Sequence, residues 1–267
     1  MKILKNALLV ALVATSGVIF SQEKKSVSNE PSGYFPTTGN MMIELNFKPF
    51  SSTDIISFDN LKAKYRITDN TSLRLGLKIE NKSNKQSKDD YLATDKYPTT
   101  TDEHSLLLGV IPGIEYHFLK NKKVSPYIGC ELSYLNKSSN ATYEEYTQQY
   151  TNSSSQYTYQ KQTVDGAWLG TGTSTYTYNG STYNSTYTTY DQRSFSSLGG
   201  NVLFGSDFYF IKNLYFGFEI GLGFNNIKYN QITIDVTNQV EKTTIPSYHS
   251  SDLSLYYNNS IRLGVWF

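Results

Sequence analysis

Two histidines stand close to hydroxyl and carboxylate residues, a combination that can support nucleophilic catalysis. His104 lies between Asp102 and Ser105, and His249 precedes Asp252 by three positions. In a Ser–His–Asp arrangement the imidazole takes the hydroxyl proton and the carboxylate orients the imidazole. The sequence offers no motif for an oxyanion hole, and a chain this rich in serine and threonine produces such neighbours by chance. We therefore predict no catalytic activity and no cofactor.

Charged residues recur at every second position in several short runs. In "NLKAKYRI", Lys62, Lys64 and Arg66 alternate with apolar residues, and a period of two places the charges on one face of a β-strand. Because unpaired buried charge is costly, we predict that these faces meet inside one structure and close its interior with ion pairs. A narrow ion-selective pore is the alternative. The predicted charge set is Glu44, Lys62, Lys64, Arg66, Arg74, Lys78, Glu80, Glu115, Glu131, Asp207, Glu219 and Arg262.

A tyrosine-rich segment occupies positions 136–194. Around Asn179 and Gly180 tyrosine alternates with threonine, which predicts a β-hairpin closed by a type I′ turn. Tyrosines among small polar residues are typical of recognition loops, since they offer a large contact area at low entropic cost. The segment then serves adhesion, a glycan or a protein partner; passive shielding of the surface is the alternative. The candidate recognition residues are Tyr176, Tyr178, Tyr183, Tyr187 and Tyr190.

Eight segments in which apolar and polar residues alternate are predicted to form the β-strands that position these residues. They lie at 40–48, 60–67, 72–80, 105–119, 125–135, 198–210, 214–224 and 253–267. Hairpin-length connections alternate with long ones, and the apolar rows have about the length of a tilted membrane-spanning strand. We therefore predict an all-β fold: an eight-stranded antiparallel up-and-down transmembrane β-barrel with short periplasmic turns and long extracellular loops. A soluble lipocalin-like barrel or a secreted sandwich is the alternative.

Composition and the N-terminus restrict the environment. The formal net charge of +1 shows no basic excess, which argues against a nucleic-acid partner. The single cysteine, Cys130, excludes an intrachain disulfide and a cysteine-built zinc site. Residues 1–21 combine two lysines with an apolar core and small residues, which is typical of a secretory signal peptide. Residues 22–39 form a polar leader, predicted to be periplasmic, and 40–267 the predicted barrel, including the long extracellular loop 136–194.

The chain's last run, in "YYNNSIRLGVWF", resembles the C-terminal strand signal of Gram-negative outer-membrane barrels. "PGIEYHF" followed by "SPYIGCELSY" resembles the central hairpin of small Bacteroidetes-type barrels of the OmpA/OmpX-like or PorT-like group. The resemblance implies a bacterial outer-membrane location, periplasmic N- and C-termini and contact with outer-membrane lipid. It also implies that the barrel-assembly machinery recognises the last strand. The residues that carry this signal are Tyr257, Ile261, Leu263, Val265 and Phe267.

Fold resemblance of this kind says little about activity. We predict a structural or recognition role, through binding by the surface loops or as an accessory subunit of an envelope complex. The partner would then be a protein of that complex or a surface ligand. A small passive solute channel is the second hypothesis and an outer-membrane enzyme the third.

Overall fold

The computed structural model describes residues 35–47, 56–92, 95–118, 123–151, 154–178, 181–237, 239–257 and 261–267. The predicted signal peptide and most of the predicted leader lie outside these ranges. No helix in the described part of the chain has the length and apolar character needed to cross a membrane.

The described residues form β-strands that pair antiparallel, so the predicted all-β class is confirmed. The strands are β1 (Met41–Phe47), β2 (Ile56–Arg66), β3 (Thr71–Leu92), β4 (Asp95–His117), β5 (Val124–Thr151), β6 (Ser154–Asp165), β7 (Trp168–Tyr178), β8 (Ser181–Asp191), β9 (Phe195–Ile211), β10 (Leu214–Tyr229), β11 (Ile232–Val236), β12 (Thr243–Ile245), β13 (Tyr248–Tyr257) and β14 (Ile261–Trp266).

Eight of these strands form a closed ring. In order around the ring they are β1, β2, β3, β4, β5, β9, β10 and β14, and β14 pairs with β1 to close it. Phe267 and Met41 exchange two backbone hydrogen bonds of 3.0 Å at this seam. Each of the eight predicted runs contributes a strand. The last run is divided into β13 and β14, both of which pair with β10.

The connections at one end of the ring are short. β9 and β10 are joined by Lys212 and Asn213 alone, and Asn213 takes a positive φ of 69°. Asparagine tolerates this left-handed conformation better than most residues, because its side chain is short and polar. Asn213 also ties the turn to β14, since its Nδ2 donates to the Trp266 carbonyl oxygen at 2.8 Å.

At the other end, the expected long loops are largely strands: the described part of the chain has fourteen strands, of which eight form the closed ring. β3 and β4 stay paired from Thr71↔Tyr116 to Leu92↔Asp95, and β5 continues for 28 residues. The segment predicted as loop 136–194 holds the end of β5, all of β6, β7 and β8. Threonine, tyrosine and valine favour extended backbone, and continued pairing satisfies backbone donors and acceptors that a loop would leave to water.

The strand extensions beyond the ring, together with β6, β7, β8, β11 and β12, form what we call the external sheets. They enclose a small apolar core of their own. Its buried members come from β5, β6, the β6–β7 turn and β11, and Tyr143, Trp168, Leu169 and Ile245 pack against them. The buried residues are Ala141, Val164, Ala167, Ile232, Ile234 and Val236.

The ring has its apolar side chains outside and its charges inside. On β10, Phe218 and Ile220 are exposed while Glu219 between them is 1% exposed. The same alternation runs along β9, where Phe204 is exposed and Asp207 is buried. A water-soluble protein places its charges and apolar groups the other way round.

Candidate functional site

Ten charged side chains fill the interior of the ring, and we call them the interior charge network. Each is buried, at 5% exposure or less, although charged residues are almost never fully buried without partners. Five are cations and five are anions, so their formal charges cancel. The members are Glu44, Lys62, Lys64, Arg66, Arg74, Glu115, Glu131, Asp207, Glu219 and Arg262.

Arg262 joins three carboxylates from different strands. Its Nη1 donates to Glu44 Oε1 at 2.9 Å and its Nη2 donates to Asp207 Oδ1 at 2.9 Å. Glu219 Oε2 lies 3.9 Å from Nη1. A planar guanidinium suits such a position, since it presents several donors in fixed directions.

Two further cations extend the network across the ring. Lys64 Nζ lies 2.8 Å from Glu44 Oε1 and 3.0 Å from Glu115 Oε2. Arg74 Nη2 lies 2.8 Å from Glu131 Oε1 and 2.9 Å from Glu219 Oε2. Because each carboxylate has a cationic partner, ion pairing offsets the cost of taking these groups out of water.

Three residues of the predicted charge set differ from the rest. Arg66 is fully buried, but among the described residues it makes no ion pair, and its Nη1 donates to Ser72 Oγ at 3.0 Å. Lys78 and Glu80 are only partly buried, and Glu80 pairs with Lys82 at 2.7 Å. They share the inward phase of β3 but lie further along the strand, where they do not reach the network.

Inward-facing tyrosines, which are absent from the predicted charge set, complete the network. Tyr127 Oη donates to Glu219 Oε2 at 2.7 Å and Tyr215 Oη donates to Glu44 Oε1 at 2.7 Å. Each ring lies over a glycine on the neighbouring strand, where a Cβ would overlap it. The sequence does contain a signal for Tyr215: it precedes Gly217 and Glu219 by two and four positions, so the three residues share one face of β10.

An aromatic floor closes the interior at the end with the short turns. Tyr209, Tyr215 and Trp266 are buried with Met42, and Phe35 packs against them. The Tyr209 ring stands edge-on to Trp266, with centroids 5.3 Å apart. Edge-to-face packing of this kind adds stabilisation beyond simple burial.

One part of the network has the composition of a metal site. Ligand atoms of Glu115, His117 and Asp207 lie within 4.8 Å of one another. Lys64 Nζ, however, lies 3.0 Å from Glu115 and 3.7 Å from Asp207. An ammonium group already supplies the positive charge that these carboxylates need, so we assign them to ion pairs. His117 is held by Ser125 Oγ at 2.7 Å and by Glu115 Oε1 at 3.0 Å.

The two histidines with catalytic neighbours lie on different strands. His104 is on β4 and His249 is on β13, and β5, β9 and β10 stand between them in the sheet order. Both histidines are exposed. The sheet therefore does not bring them together.

β7 and β8 form a two-stranded sheet, which we call the ribbon, and two side chains anchor its base. Tyr143 Oη on β5 accepts the Leu169 N–H at 2.7 Å and donates to Glu103 Oε1 at 2.7 Å. Trp168 Nε1 donates to the His104 carbonyl oxygen at 3.0 Å. Burial and the hydrogen bond to Glu103 raise the pKa of Tyr143 well above its usual range, so the hydroxyl keeps its proton.

We expect Tyr143→Phe to loosen the base of the ribbon. The change leaves the Glu103 carboxylate and the Leu169 N–H without this partner, at a cost of about 1–3 kcal/mol. Amide hydrogen exchange should then be faster in 168–191, while exchange in the ring strands stays the same. Tyr159→Phe is the matched control, because Tyr159 is 39% exposed and lies outside this contact. Equal exchange in both variants would contradict the anchoring role.

The predicted hairpin is present as the paired strands of the ribbon, with Tyr178 opposite Ser181. The turn at 179–180 and the side chains of Tyr176 and Tyr178 lie outside the described residues. Tyr183, Tyr187 and Tyr190 are exposed. A second tyrosine group, on β4, β5 and β6, was not selected from the sequence. Its rings are in contact, with centroids 4.5–5.4 Å apart, and belong to Tyr97, Tyr146, Tyr157 and Tyr159.

The predicted assembly signal falls on the closing strand. Ile261, Val265 and Phe267 are exposed on the outside of the ring, and Leu263 is half-buried. Tyr257 pairs with Ile220 at the end of β13, and its side chain lies outside the described residues.

Comparison of the chain with known proteins gives no family assignment. No protein-family model matches the sequence, and no curated protein matches it either.

Proposed function

We propose that the chain is a bacterial outer-membrane β-barrel with a closed interior, and that its external sheets serve recognition at the cell surface. One observation carries the proposal: the eight-strand ring has its charges inside and its apolar residues outside. Apolar patches of this extent are rare on soluble monomers, whereas a lipid-facing apolar band is the rule in membrane barrels. The exposed side chains of the ring include Leu73, Leu75, Val110, Ile114, Ile128, Leu132, Val202, Phe204, Phe218, Ile220 and Leu222.

The two ends of the ring support an orientation. The short-turn end carries the two-residue β9–β10 connection, and the other end continues into the external sheets. Short periplasmic turns and long extracellular extensions are typical of outer-membrane barrels. We therefore orient the barrel with its termini in the periplasm and its external sheets outside the cell. This orientation fits the predicted signal peptide and a last strand that the assembly machinery recognises.

The interior charge network and the aromatic floor support a closed lumen. Eight strands enclose only enough space for side chains, and here large paired side chains occupy it. The competing hypothesis is a small passive solute channel, which requires a continuous aqueous path through this network.

Conductance in planar lipid bilayers tests the closed lumen. We expect the folded protein to give no discrete openings. We expect Arg74→Ala/Glu219→Ala combined with Tyr209→Ala and Trp266→Ala to conduct, since it removes large side chains from both the interior charge network and the aromatic floor and leaves the net charge unchanged. Glu144→Ala/Lys161→Ala is the control, because this pair is on the external sheets, 2.9 Å apart and partly exposed. Openings in the unmodified protein would establish the channel and end the proposal of a closed lumen.

A further inference from the structure

The ribbon has an open edge. Within the described part of the chain, β7 and β8 form a sheet of their own with no third strand. Leu169 ties β7 to β5 through Tyr143, whereas among the described residues β8 pairs only with β7. A strand at an edge presents unpaired N–H and C=O groups, to which another strand can pair.

Before Asp191 at its end, this edge has none of the usual protection. Proteins block pairing at exposed edges with lysine, proline or a bulge. Positions 168–190 contain no charged residue and no proline. The β7–β8 register is regular throughout, and residues 183–188 of β8 are exposed. Apart from Asp191 at its end, β8 is therefore an uncharged strand of high β-propensity, and its residues 183–188 face solvent without a repulsive element.

The sequence of β8 is nearly palindromic. Positions 181–189 read "STYNSTYTT", and the centre of the palindrome is Ser185. If a second copy of β8 pairs antiparallel with Ser185 opposite Ser185, Tyr183 stands opposite Tyr187 and Asn184 opposite Thr186. Thr182 is then in register with Thr188. Aromatic pairs and hydroxyl pairs directly across two strands stabilise a sheet.

We propose that two copies of this chain associate through their β8 edges, antiparallel about a two-fold axis at Ser185, and join their ribbons into a four-stranded sheet. Such a contact is isologous, so the same edge serves both partners and the assembly closes as a dimer. The absence of charge favours a second copy, because an edge without charges has no ionic means of selecting a different protein. The proposal rests on the proposed function only in that the ribbon is accessible outside the membrane.

The greater stability of larger β-sheets also favours a second copy of the chain as the partner. An isolated two-stranded sheet is marginally stable in water, and sheets of three or more strands are more stable. Residues 173–175 and 183–188 of the ribbon are exposed, and they alternate between its two faces. Pairing at β8 doubles the number of strands and satisfies the free backbone groups without separating any charge from water.

Disulfide trapping tests the proposed dimer. Ser185→Cys is introduced into a Cys130→Ser background, and the folded protein is oxidised in detergent and on whole cells. Residues directly opposite in antiparallel strands have Cα atoms about 4.5–5.5 Å apart, within the range that a disulfide spans. The control is Ser174→Cys, because Ser174 is exposed and pairs with Ser185 across the ribbon, but lies on β7. We expect about tenfold more covalent dimer from position 185 than from position 174.

Two further variants make the result specific. Tyr183→Cys should cross-link with Tyr187→Cys in a mixture and not with itself, because the two-fold axis places 183 opposite 187. Thr186→Lys should abolish the dimer in native mass spectrometry, since it places a lysine on each edge, diagonally across the joined strands and on the same face. A monomer at position 185, or equal cross-linking at 174, would overturn the proposal. Trapping of purified protein in detergent does not depend on membrane location, so the proposed function can fail separately.

Discussion

Arg262→Ala is expected to destabilise the folded ring by about 3–5 kcal/mol, the usual cost of removing one partner from a buried ion pair. Arg262 is fully buried, and its side chain neutralises Glu44 and Asp207 together. Alanine leaves both carboxylates with less positive charge in a site that water does not reach. Urea titration of protein folded in lipid vesicles measures the change in the free energy of unfolding.

Two comparison variants separate burial from charge. Lys161→Ala removes a cation that pairs with Glu144 on the exposed surface, and its effect should be much smaller than that of Arg262→Ala, because solvent screens an exposed ion pair. The double variant Arg262→Ala/Glu44→Ala should lose less stability than the sum of its single variants, because one of the two carboxylates that lose the arginine is also removed. Additive losses would show that the two side chains do not act as a pair.

Ile220→Arg is expected to cost about 2–4 kcal/mol, the penalty for a lipid-facing arginine near the middle of a bilayer. Ile220 is 57% exposed and lies between Phe218 and Leu222 on the apolar side of β10. In a ring surrounded by water the same substitution would change stability by no more than about 0.5 kcal/mol. A lipid-facing ring and a ring surrounded by water therefore predict different changes in the free energy of unfolding, and one experiment distinguishes them.

Val240→Arg provides the matched control for this prediction. Val240 is fully exposed, and it lies between β11 and β12 on the proposed extracellular side. Its replacement should leave the free energy of unfolding within about 0.5 kcal/mol of the unmodified protein. Equal effects at 220 and 240 would contradict a lipid-facing ring.

The faces of the ring strands could be predicted because β-strand side chains alternate strictly. Glu219 lies between Phe218 and Ile220, so only one of the two rows on β10 could face the interior. The distance of a residue from the network, measured along the strand, could not be predicted in this way. Lys78 and Glu80 have the phase of Arg74, but a period of two carries no information on how far a residue lies from the network.

The inward tyrosines were missed for a chemical reason. The alternation of charged and apolar residues indicates which charges face inward but does not separate tyrosine from the apolar residues, although tyrosine combines a large apolar ring with a hydroxyl that can satisfy a buried carboxylate. Tyr127 and Tyr215 use both parts, and glycines on the neighbouring strands make room for their rings. The phase of each tyrosine relative to a nearby glutamate was the available signal.

The external sheets could not be predicted from alternation alone. Their strands consist largely of threonine, tyrosine and serine, so neither face stands out as the buried one. Their small core combines Val164, Ala167 and Ile232, which lie on separate segments of the chain. Only the tertiary structure brings these segments together.

The seam between β1 and β14 has a consequence for the order of folding. Arg262 and Glu44 are 218 positions apart in the sequence, yet they share a buried ion pair. Contacts between such distant residues are slow to form, because the loop-closure entropy is lost before the contact stabilises anything. Until β14 meets β1, both strands have an open edge and the carboxylate of Glu44 lacks its arginine. We therefore expect closure of the ring to complete the backbone pairing and the charge balance together, late in folding.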